Sequence, residues 1–114
     1  MKILITILLS SSLIACKKQS GILSLTPSCI LNKIEDLKKQ PKRNPAAVVE
    51  QYTYLNEKVY YITSDCCDQY NILYDNDCNI ICAPDGGISG RGDGKCADFF
   101  ESARNKLLIW EDSR

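Results

Sequence analysis

The sequence predicts a small α+β domain, in which an N-terminal amphipathic helix packs on a small antiparallel sheet and a long loop is held by disulfides. Three observations lead to this prediction: apolar residues at helical spacing in residues 29–40, a β-rich stretch in residues 48–63, and five of the seven cysteines within residues 65–98. A chain of 114 residues is one domain at most. Because a domain of this size buries a smaller share of its surface than a large one, covalent cross-links are an expected source of stability.

The helix is predicted from the periodicity of its apolar residues. Ile30, Ile34 and Leu37 recur at i, i+4 and i+7, so they share one face of the helix. Ser28 is the expected N-cap, and Pro41 should end the helix because proline cannot continue it.

The first two strands of the sheet are predicted as a β-hairpin. Residues 48–63 are rich in β-branched and aromatic side chains, with Asn56-Glu57 as the expected loop, which sets Tyr54 opposite Val59. Alternation along the hairpin gives it two faces, and one of them should pack on the helix. That face is predicted to hold Val48, Tyr52, Tyr54, Val59 and Tyr61.

A third strand is predicted near the C-terminus. A short helical turn is expected after Phe99, and the apolar run at residues 106–110 should shield one edge of the hairpin, since an isolated hairpin is marginal in water. Between the hairpin and this strand, residues 65–98 are expected to form one long loop that is rich in turn signals such as Pro84-Asp85-Gly86-Gly87.

Six cysteines are candidates for disulfides in an exported chain. Cys66 and Cys67 are adjacent, and the distance of about 3.8 Å between neighbouring Cα atoms is shorter than the usual disulfide separation. Each of the two should therefore reach another cysteine, which leaves the full pairing open. The predicted disulfide cysteines are Cys29, Cys66, Cys67, Cys78, Cys82 and Cys96.

The first 15 residues are typical of a secretory leader. Lys2 precedes an apolar run that is too short to span a bilayer as a helix, and three serines follow the run. The ending Leu13-Ile14-Ala15-Cys16 resembles the lipobox of bacterial lipoproteins. The resemblance implies cleavage before Cys16 and lipid on its sulfur, which would give a membrane anchor of two or three acyl chains.

Residues 16–27 are predicted to be a lipidated, flexible tether, and residues 28–114 the cysteine-rich domain. Residues 17–43 contain seven basic and two acidic residues, and residues 50–98 three basic and nine acidic ones. A basic arm suits an anionic lipid surface, while the balanced overall charge argues against nucleic-acid binding. The expected location is the cell envelope, at the outer membrane facing the periplasm, with display on the cell surface as the alternative.

Several kinds of chemistry are disfavoured by the sequence. The chain has no histidine, which excludes Ser-His-Asp and Cys-His catalysis and HExxH zinc sites. The cysteine spacing is not that of a zinc site, and no CxxC motif indicates thiol redox catalysis. No cofactor is predicted: the one candidate is a structural calcium ion, but the EF-hand spacing is incomplete, and aspartates that cap and shape turns are the alternative interpretation. The candidate calcium ligands are Asp75, Asp77, Asn79, Asp85 and Asp93.

The strings CCD, LYD, IC-x-PDGG, GDG and C-x-DF, in that order between residues 66 and 99, resemble a family of small bacterial lipoproteins with a cysteine-rich domain of unknown function. The resemblance covers about residues 29–114. It implies export and lipid anchoring, and it implies no activity, substrate or catalytic residue.

The function predicted from these observations is that of a lipid-anchored envelope protein that acts as a non-enzymatic binding module, with an envelope protein or a glycan as its partner. One alternative is a calcium-stabilised structural protein without a ligand of its own. Another is an enzyme whose carboxylates converge in a pocket, for which Asp65, Asp68 and Asp75 are the candidates.

Overall fold

The computed structural model describes residues 18–66 and 68–114, and it confirms the α+β class. Five strands form one antiparallel sheet in the order β4-β3-β2-β1-β5. The elements are α1 (Lys18–Leu25), α2 (Ser28–Lys39), β1 (Val48–Tyr54), β2 (Glu57–Ile62), β3 (Tyr70–Tyr74), β4 (Ile80–Gly86), α3 (Phe99–Ser102) and β5 (Arg104–Glu111). No helix within the described ranges is long and apolar enough to cross a membrane.

Helix α2 buries one stripe of apolar side chains. Ile30, Ile34 and Leu37 are its buried residues. The predicted N-cap is wrong by one position, because Ser28 is already helical and Pro27 occupies the cap without a side-chain hydrogen bond. Proline suits this end of a helix, since the first N–H groups lack an intrahelical partner.

Helix α1 lies in the stretch that the sequence predicts to be a flexible tether. Its last turn is closed by Thr26, whose hydroxyl donates to the Ile22 carbonyl oxygen at 2.8 Å. Gly21 lowers helix propensity by roughly 1 kcal/mol relative to alanine but does not terminate a helix, whereas Pro27 ends α1. Ile22 and Leu23 also pack against the apolar side chains beneath α2, and this tertiary contact cannot be predicted from local composition.

The β1–β2 hairpin forms with a register that differs by two residues from the predicted one. Tyr54 lies opposite Glu57 rather than Val59, and the two-residue loop is Leu55-Asn56, with φ of 51° and 63°. Either loop places one poorly suited residue, Leu55 or Glu57, at positive φ, so the local sequence does not separate the two registers. A shift of two residues keeps the predicted division of the side chains between the two faces of the hairpin.

The predicted long loop contains two further strands, β3 and β4. Strand β3 pairs with β2, setting Tyr61 opposite Leu73, and β4 pairs with β3, setting Leu73 opposite Cys82. Dense turn residues around both strands, and Pro84-Asp85-Gly86 at the end of β4, obscure their β pattern. Pro84 is compatible with β4 because an edge strand has one side that needs no backbone donor.

The predicted C-terminal strand is confirmed. Strand β5 pairs antiparallel with β1 and covers the edge of the hairpin, with Val49 opposite Trp110. The predicted helical turn before it is α3, a single turn that begins at Phe99.

Each face of the sheet has its own apolar core, and the predicted assignment of faces is wrong. Helix α2 covers the face that carries Val49, Tyr60 and Ile109, which we call the helix core. The opposite face packs on α3 and on a disulfide, and we call this the tyrosine core. It consists of Tyr52, Tyr54, Val59, Tyr61, Leu73, Cys82, Cys96 and Phe99.

The helix packs on the face opposite to the predicted one because both faces of the hairpin are apolar. Tyr60 is fully buried on the helix side, and Tyr61 is nearly so on the other side. Alternation along the hairpin therefore separates the two faces but does not say which one receives the helix.

Two disulfides cross-link the described cysteines. Cys29 pairs with Cys78 and joins α2 to the β3–β4 turn, while Cys82 pairs with Cys96 and closes the segment that follows β4. Their Cα separations of 6.2 and 6.1 Å lie in the usual range. Because these four cysteines bond with one another, the structure differs from the prediction that Cys66 bonds to one of them. The same prediction for Cys67 concerns a residue that lies outside the described ones.

Candidate functional site

A concave surface lies between α2 and the adjacent strands β2 and β3. It is a groove with a volume of about 390 Å³, within the range of small-molecule sites. Helix α2 contributes polar side chains, the strands contribute apolar and aromatic ones, and loops close the two ends. The residues that define its character are Lys33, Asp36, Gln40, Arg43, Asp65, Ile72, Tyr70 and Tyr74.

Arg43 anchors one end of the groove. Its guanidinium donates to the Thr63 carbonyl oxygen and to Gln40 Oε1, both at 3.0 Å, and its Nε lies 3.7 Å from the Asp65 carboxylate. The arginine side chain is mostly buried, whereas that of Asp65 is 66% exposed. The cation therefore holds the connector after α2 against the end of β2, while Asp65 still presents a carboxylate oxygen to solvent.

Tyrosines of β3 form the floor and one wall. The Lys33 ammonium lies 4.4 Å from the centre of the Tyr74 ring, so this ring is covered by a cation. The Tyr70 ring is packed on one side against the backbone of Gly87. A Cβ atom at Gly87 would come within 2.5 Å of the ring, so only glycine permits this position of Tyr70.

The residues predicted to bind calcium within the β3–β4 turn are used to build the turn. Asp75 Oδ1 accepts hydrogen bonds from the N–H groups of Asp77 and Asn79, at 2.8 and 2.9 Å, and Oδ2 accepts one from the Asn79 side chain. The Asn79 N–H is the main cause of a lowered pKa for Asp75. Asp75 and Asp77 also line an open depression, together with Leu25, Glu57, Lys58 and Asn76.

The other two predicted calcium ligands lie in different surroundings. The carboxylate of Asp85 accepts a hydrogen bond from the Tyr61 hydroxyl at 2.8 Å and another from the side-chain amide of Asn71 at 2.9 Å. The carboxylate of Asp93 accepts a hydrogen bond from the backbone N–H of Lys95, and this bond is the main cause of the lowered pKa of Asp93. Within the described residues, no three Asp, Glu, His or Cys side chains lie close enough together to hold a metal ion. The predicted ligands therefore do not converge, because Asp75 and Asp93 accept hydrogen bonds within their own turns, whereas Asp85 accepts them from β2 and β3.

The carboxylates considered for catalysis do not meet either. Asp65 lies in the groove beside Arg43, Asp75 lies in the β3–β4 turn, and Asp68 is exposed in the connection between β2 and β3. A carboxylate with a lowered pKa, such as Asp75, is a poor general acid at neutral pH.

Two tyrosine–carboxylate pairs were missed by sequence reasoning. Tyr61 donates to Asp85, and Tyr54 donates to Asp98 Oδ1 at 2.8 Å. Burial, followed by the bond to Asp85, raises the pKa of Tyr61 strongly, and the bond to Asp98 raises that of Tyr54. The partners are 24 and 44 residues apart, so no local motif marks them.

A close backbone crossing explains part of the glycine-rich motif. Gly92 has a φ of 71°, and a Cβ atom there would lie 1.9 Å from the Ala83 carbonyl oxygen. The Gly92 N–H donates to the Gly86 carbonyl, and the Asp93 N–H donates to that of Ala83. The segment after β4 is therefore fastened along the outer edge of this strand, which accounts for glycine and aspartate there without a ligand.

The predicted lipidation site, Cys16, lies outside the described residues. Cys66 is exposed in the connection between β2 and β3, and it borders Asp65 at the end of the groove. Cys29 and Cys78 are half-buried beside the helix core, whereas Cys82 and Cys96 are buried within the tyrosine core.

The protein is thus a small α+β domain with two disulfides among its described cysteines and a groove on the helix side of its sheet. The chain belongs to the DUF6970 family, a domain of unknown function, whose family model matches residues 35–112. The matched region begins within α2 and includes all five strands, so it contains most of the groove. Searches of curated proteins and of solved structures found no significant match.

Proposed function

We propose that this protein is a bacterial lipoprotein, anchored by lipid on Cys16 in the cell envelope, whose domain is a non-enzymatic binding module. The binding role rests on the groove between α2 and the β2–β3 strands, because a concave surface with aromatic and polar side chains is the usual form of a ligand site. Helix α2, packed on the small sheet, provides the rigid support for this surface.

The envelope location is supported by two independent features. The sequence Leu13-Ile14-Ala15-Cys16 has the form of a lipobox after a secretory leader. The two disulfides among the described cysteines suit an oxidising compartment outside the cytoplasm. The outer membrane facing the periplasm is the proposed site.

The non-enzymatic role is supported by how the acidic side chains are used. Asp75, Asp85 and Asp98 each accept hydrogen bonds from tyrosine hydroxyls, side-chain amides or backbone N–H groups. Such carboxylates order turns and strands.

Lipid anchoring is tested by metabolic labelling of the full chain with an alkyne-bearing fatty acid in a bacterial host. The wild-type protein should carry the label and sediment with membranes after a high-salt wash, because two or three acyl chains make a lasting anchor. Cys16→Ala should abolish the label, while Lys17→Ala, a change at the neighbouring position, should keep it.

Label that persists in Cys16→Ala, or wild-type protein without label, would rule out this anchor. Protease treatment of intact cells distinguishes the two sides of the outer membrane: the domain should be protected if it faces the periplasm and cleaved if it is displayed outside.

A further inference from the structure

Tyr70 presents an aromatic ring at the wall of the groove. Its side is held by the backbone of Gly87, and the residue is nevertheless 47% exposed. By contrast, the neighbouring Tyr74 ring is covered by the Lys33 ammonium. Tyr70 is therefore an accessible ring, packed on one side against Gly87, that can stack on a flat apolar surface of a ligand.

The ionised side chains of the groove are balanced. Lys33 and Arg43 are positive, Asp36 and Asp65 are negative, and Arg43 and Asp65 lie within 3.7 Å of each other. A groove that selected an anion or a cation would carry an excess of the opposite charge. The balance therefore favours a ligand without net charge.

The backbone beneath the groove is already paired. Strand β2 hydrogen-bonds with β3 along this stretch, with Tyr60 opposite Tyr74 and Ile62 opposite Ile72. An extended peptide that joins a sheet requires free backbone groups at an edge, and this part of the sheet offers none. A ligand must instead be recognised by side chains such as Gln40 and Asp65. Their planar amide and carboxylate groups can hydrogen-bond to hydroxyl groups of a ligand and so orient it.

Resting on the binding role proposed above, we infer that the groove binds a neutral saccharide, with a sugar ring stacked on Tyr70 and its hydroxyl groups hydrogen-bonded by Asp65 and Gln40. A sugar ring combines an apolar C–H face with a rim of hydroxyl donors and acceptors. It requires an accessible ring, planar polar side chains and no net charge, and the groove provides all three.

The test uses the full-length, disulfide-intact chain in dodecylphosphocholine micelles, a detergent without a sugar headgroup. Two neutral probes, N,N′,N″-triacetylchitotriose and maltotriose, are titrated and followed by saturation-transfer difference NMR. At least one probe should bind, with contacts strongest on the C–H face of a ring. Tyr70→Ala should weaken this binding about tenfold, and Tyr70→Phe should retain it within about twofold, because stacking needs the ring and not the hydroxyl.

Phe100→Ala is the matched control, since Phe100 is also an exposed aromatic residue (53%) but contacts Tyr61 on the opposite face of the sheet. It should bind like the wild type. Asp65→Asn, at a largely exposed side chain, provides a second test that does not depend on the packing of Tyr70, and it should weaken binding several-fold.

The inference is overturned if neither saccharide binds at about 10 mM, or if Tyr70→Ala and Phe100→Ala have the same effect. It is also overturned if a neutral octapeptide of glycine and serine binds in a Tyr70-dependent way while the saccharides do not. The fatty-acid labelling of Cys16 is independent of these outcomes, so lipid anchoring can hold when saccharide binding fails, and the reverse.

Discussion

At the scale of single residues, this protein uses carboxylates to join segments that are far apart in sequence. Asp85 connects β4 to Tyr61 of β2 and Asn71 of β3, and Asp98 connects α3 to Tyr54 of β1. The sequence shows that aspartates are abundant after residue 65, and it indicates turns at many of them. It does not show their distant partners, because a tyrosine hydroxyl reaches a carboxylate only once the strands are in register.

Asp112 and Arg114 form the most buried of the described ion pairs. The carboxylate of Asp112 is nearly inaccessible, and Arg114 Nη2 lies 2.6 Å from its Oδ2. The guanidinium also donates to the carbonyl oxygens of Leu37 and Lys38 at the end of α2. This arginine therefore links β5 to the C-terminal end of α2, where a positive charge suits the helix dipole.

The pH dependence of stability should reveal this pair. Arg114 lowers the pKa of Asp112 to about 2, whereas an aspartate in an unfolded chain titrates near 3.9. Because the pKa of Asp112 is lower in the folded protein than in the unfolded chain, the ion pair contributes fully to the free energy of unfolding above about pH 4. This contribution is lost as the pH falls toward 2. Asp112→Asn should therefore have a lower Tm than the wild type at pH 7, and the difference should shrink toward pH 2.

Glu111→Gln is the control for this prediction, since it changes an exposed carboxylate at the adjacent position. Its melting profile between pH 7 and pH 2 should follow that of the wild type. A constant difference between Asp112→Asn and the wild type over the whole range would contradict the assigned role of the pair.

At the scale of elements, the β1–β2 hairpin carries strain in its loop. Leu55 adopts a φ of 51° and is 76% exposed, so it makes an unfavourable backbone conformation without burying its side chain. Asn56, at 63°, suits the same conformation better, since asparagine populates the left-handed region more readily. The hairpin was predictable from composition, but its register was not, because the loop alone does not choose between two neighbouring turns.

Replacing Leu55 by asparagine should stabilise the protein. The change removes a leucine from the left-handed region and loses little buried apolar area, so we expect a gain of about 0.5–1 kcal/mol in the free energy of unfolding. Urea denaturation followed by circular dichroism measures it. Leu108→Asn, in the extended strand β5, is the matched exposed leucine and should not stabilise; an equal gain in both variants would show that the effect comes from surface polarity and not from the turn.

At the scale of the whole molecule, one sheet separates two cores that have different covers. Helix α2 covers the helix core, while α3 and the Cys82–Cys96 disulfide cover the tyrosine core. Phe99 is fully buried at the centre of the latter, and its ring lies edge-on to those of Tyr52 and Tyr54, with centroids 5.0 and 5.2 Å away. A single turn of helix therefore completes one side of the protein.

The contrast between two neighbouring phenylalanines tests this arrangement. Phe99→Ala should cost about 3–5 kcal/mol in unfolding free energy, because it empties a large buried volume beneath three tyrosine rings. Phe100→Ala should cost only about 1 kcal/mol, since its ring is half exposed. Thermal and urea unfolding of both variants with disulfides intact gives the comparison, and equal losses would show that the tyrosine core is not centred on Phe99.

The sequence by itself determined the class of the domain, the hairpin, the C-terminal strand and the separation of the hairpin residues into two faces. The class and the two faces follow from local periodicity, since spacing of 3.6 or 2 residues states which side chains lie together on one element, whereas the C-terminal strand follows from its apolar run and from the need to shield the edge of the hairpin. The tertiary structure alone decided which face received α2, which cysteines paired, and that residues 70–86 contributed two strands rather than a loop. The physical reason is that both faces are apolar and all six candidate cysteines are chemically alike, so only packing and strand pairing across long sequence separations distinguish the alternatives.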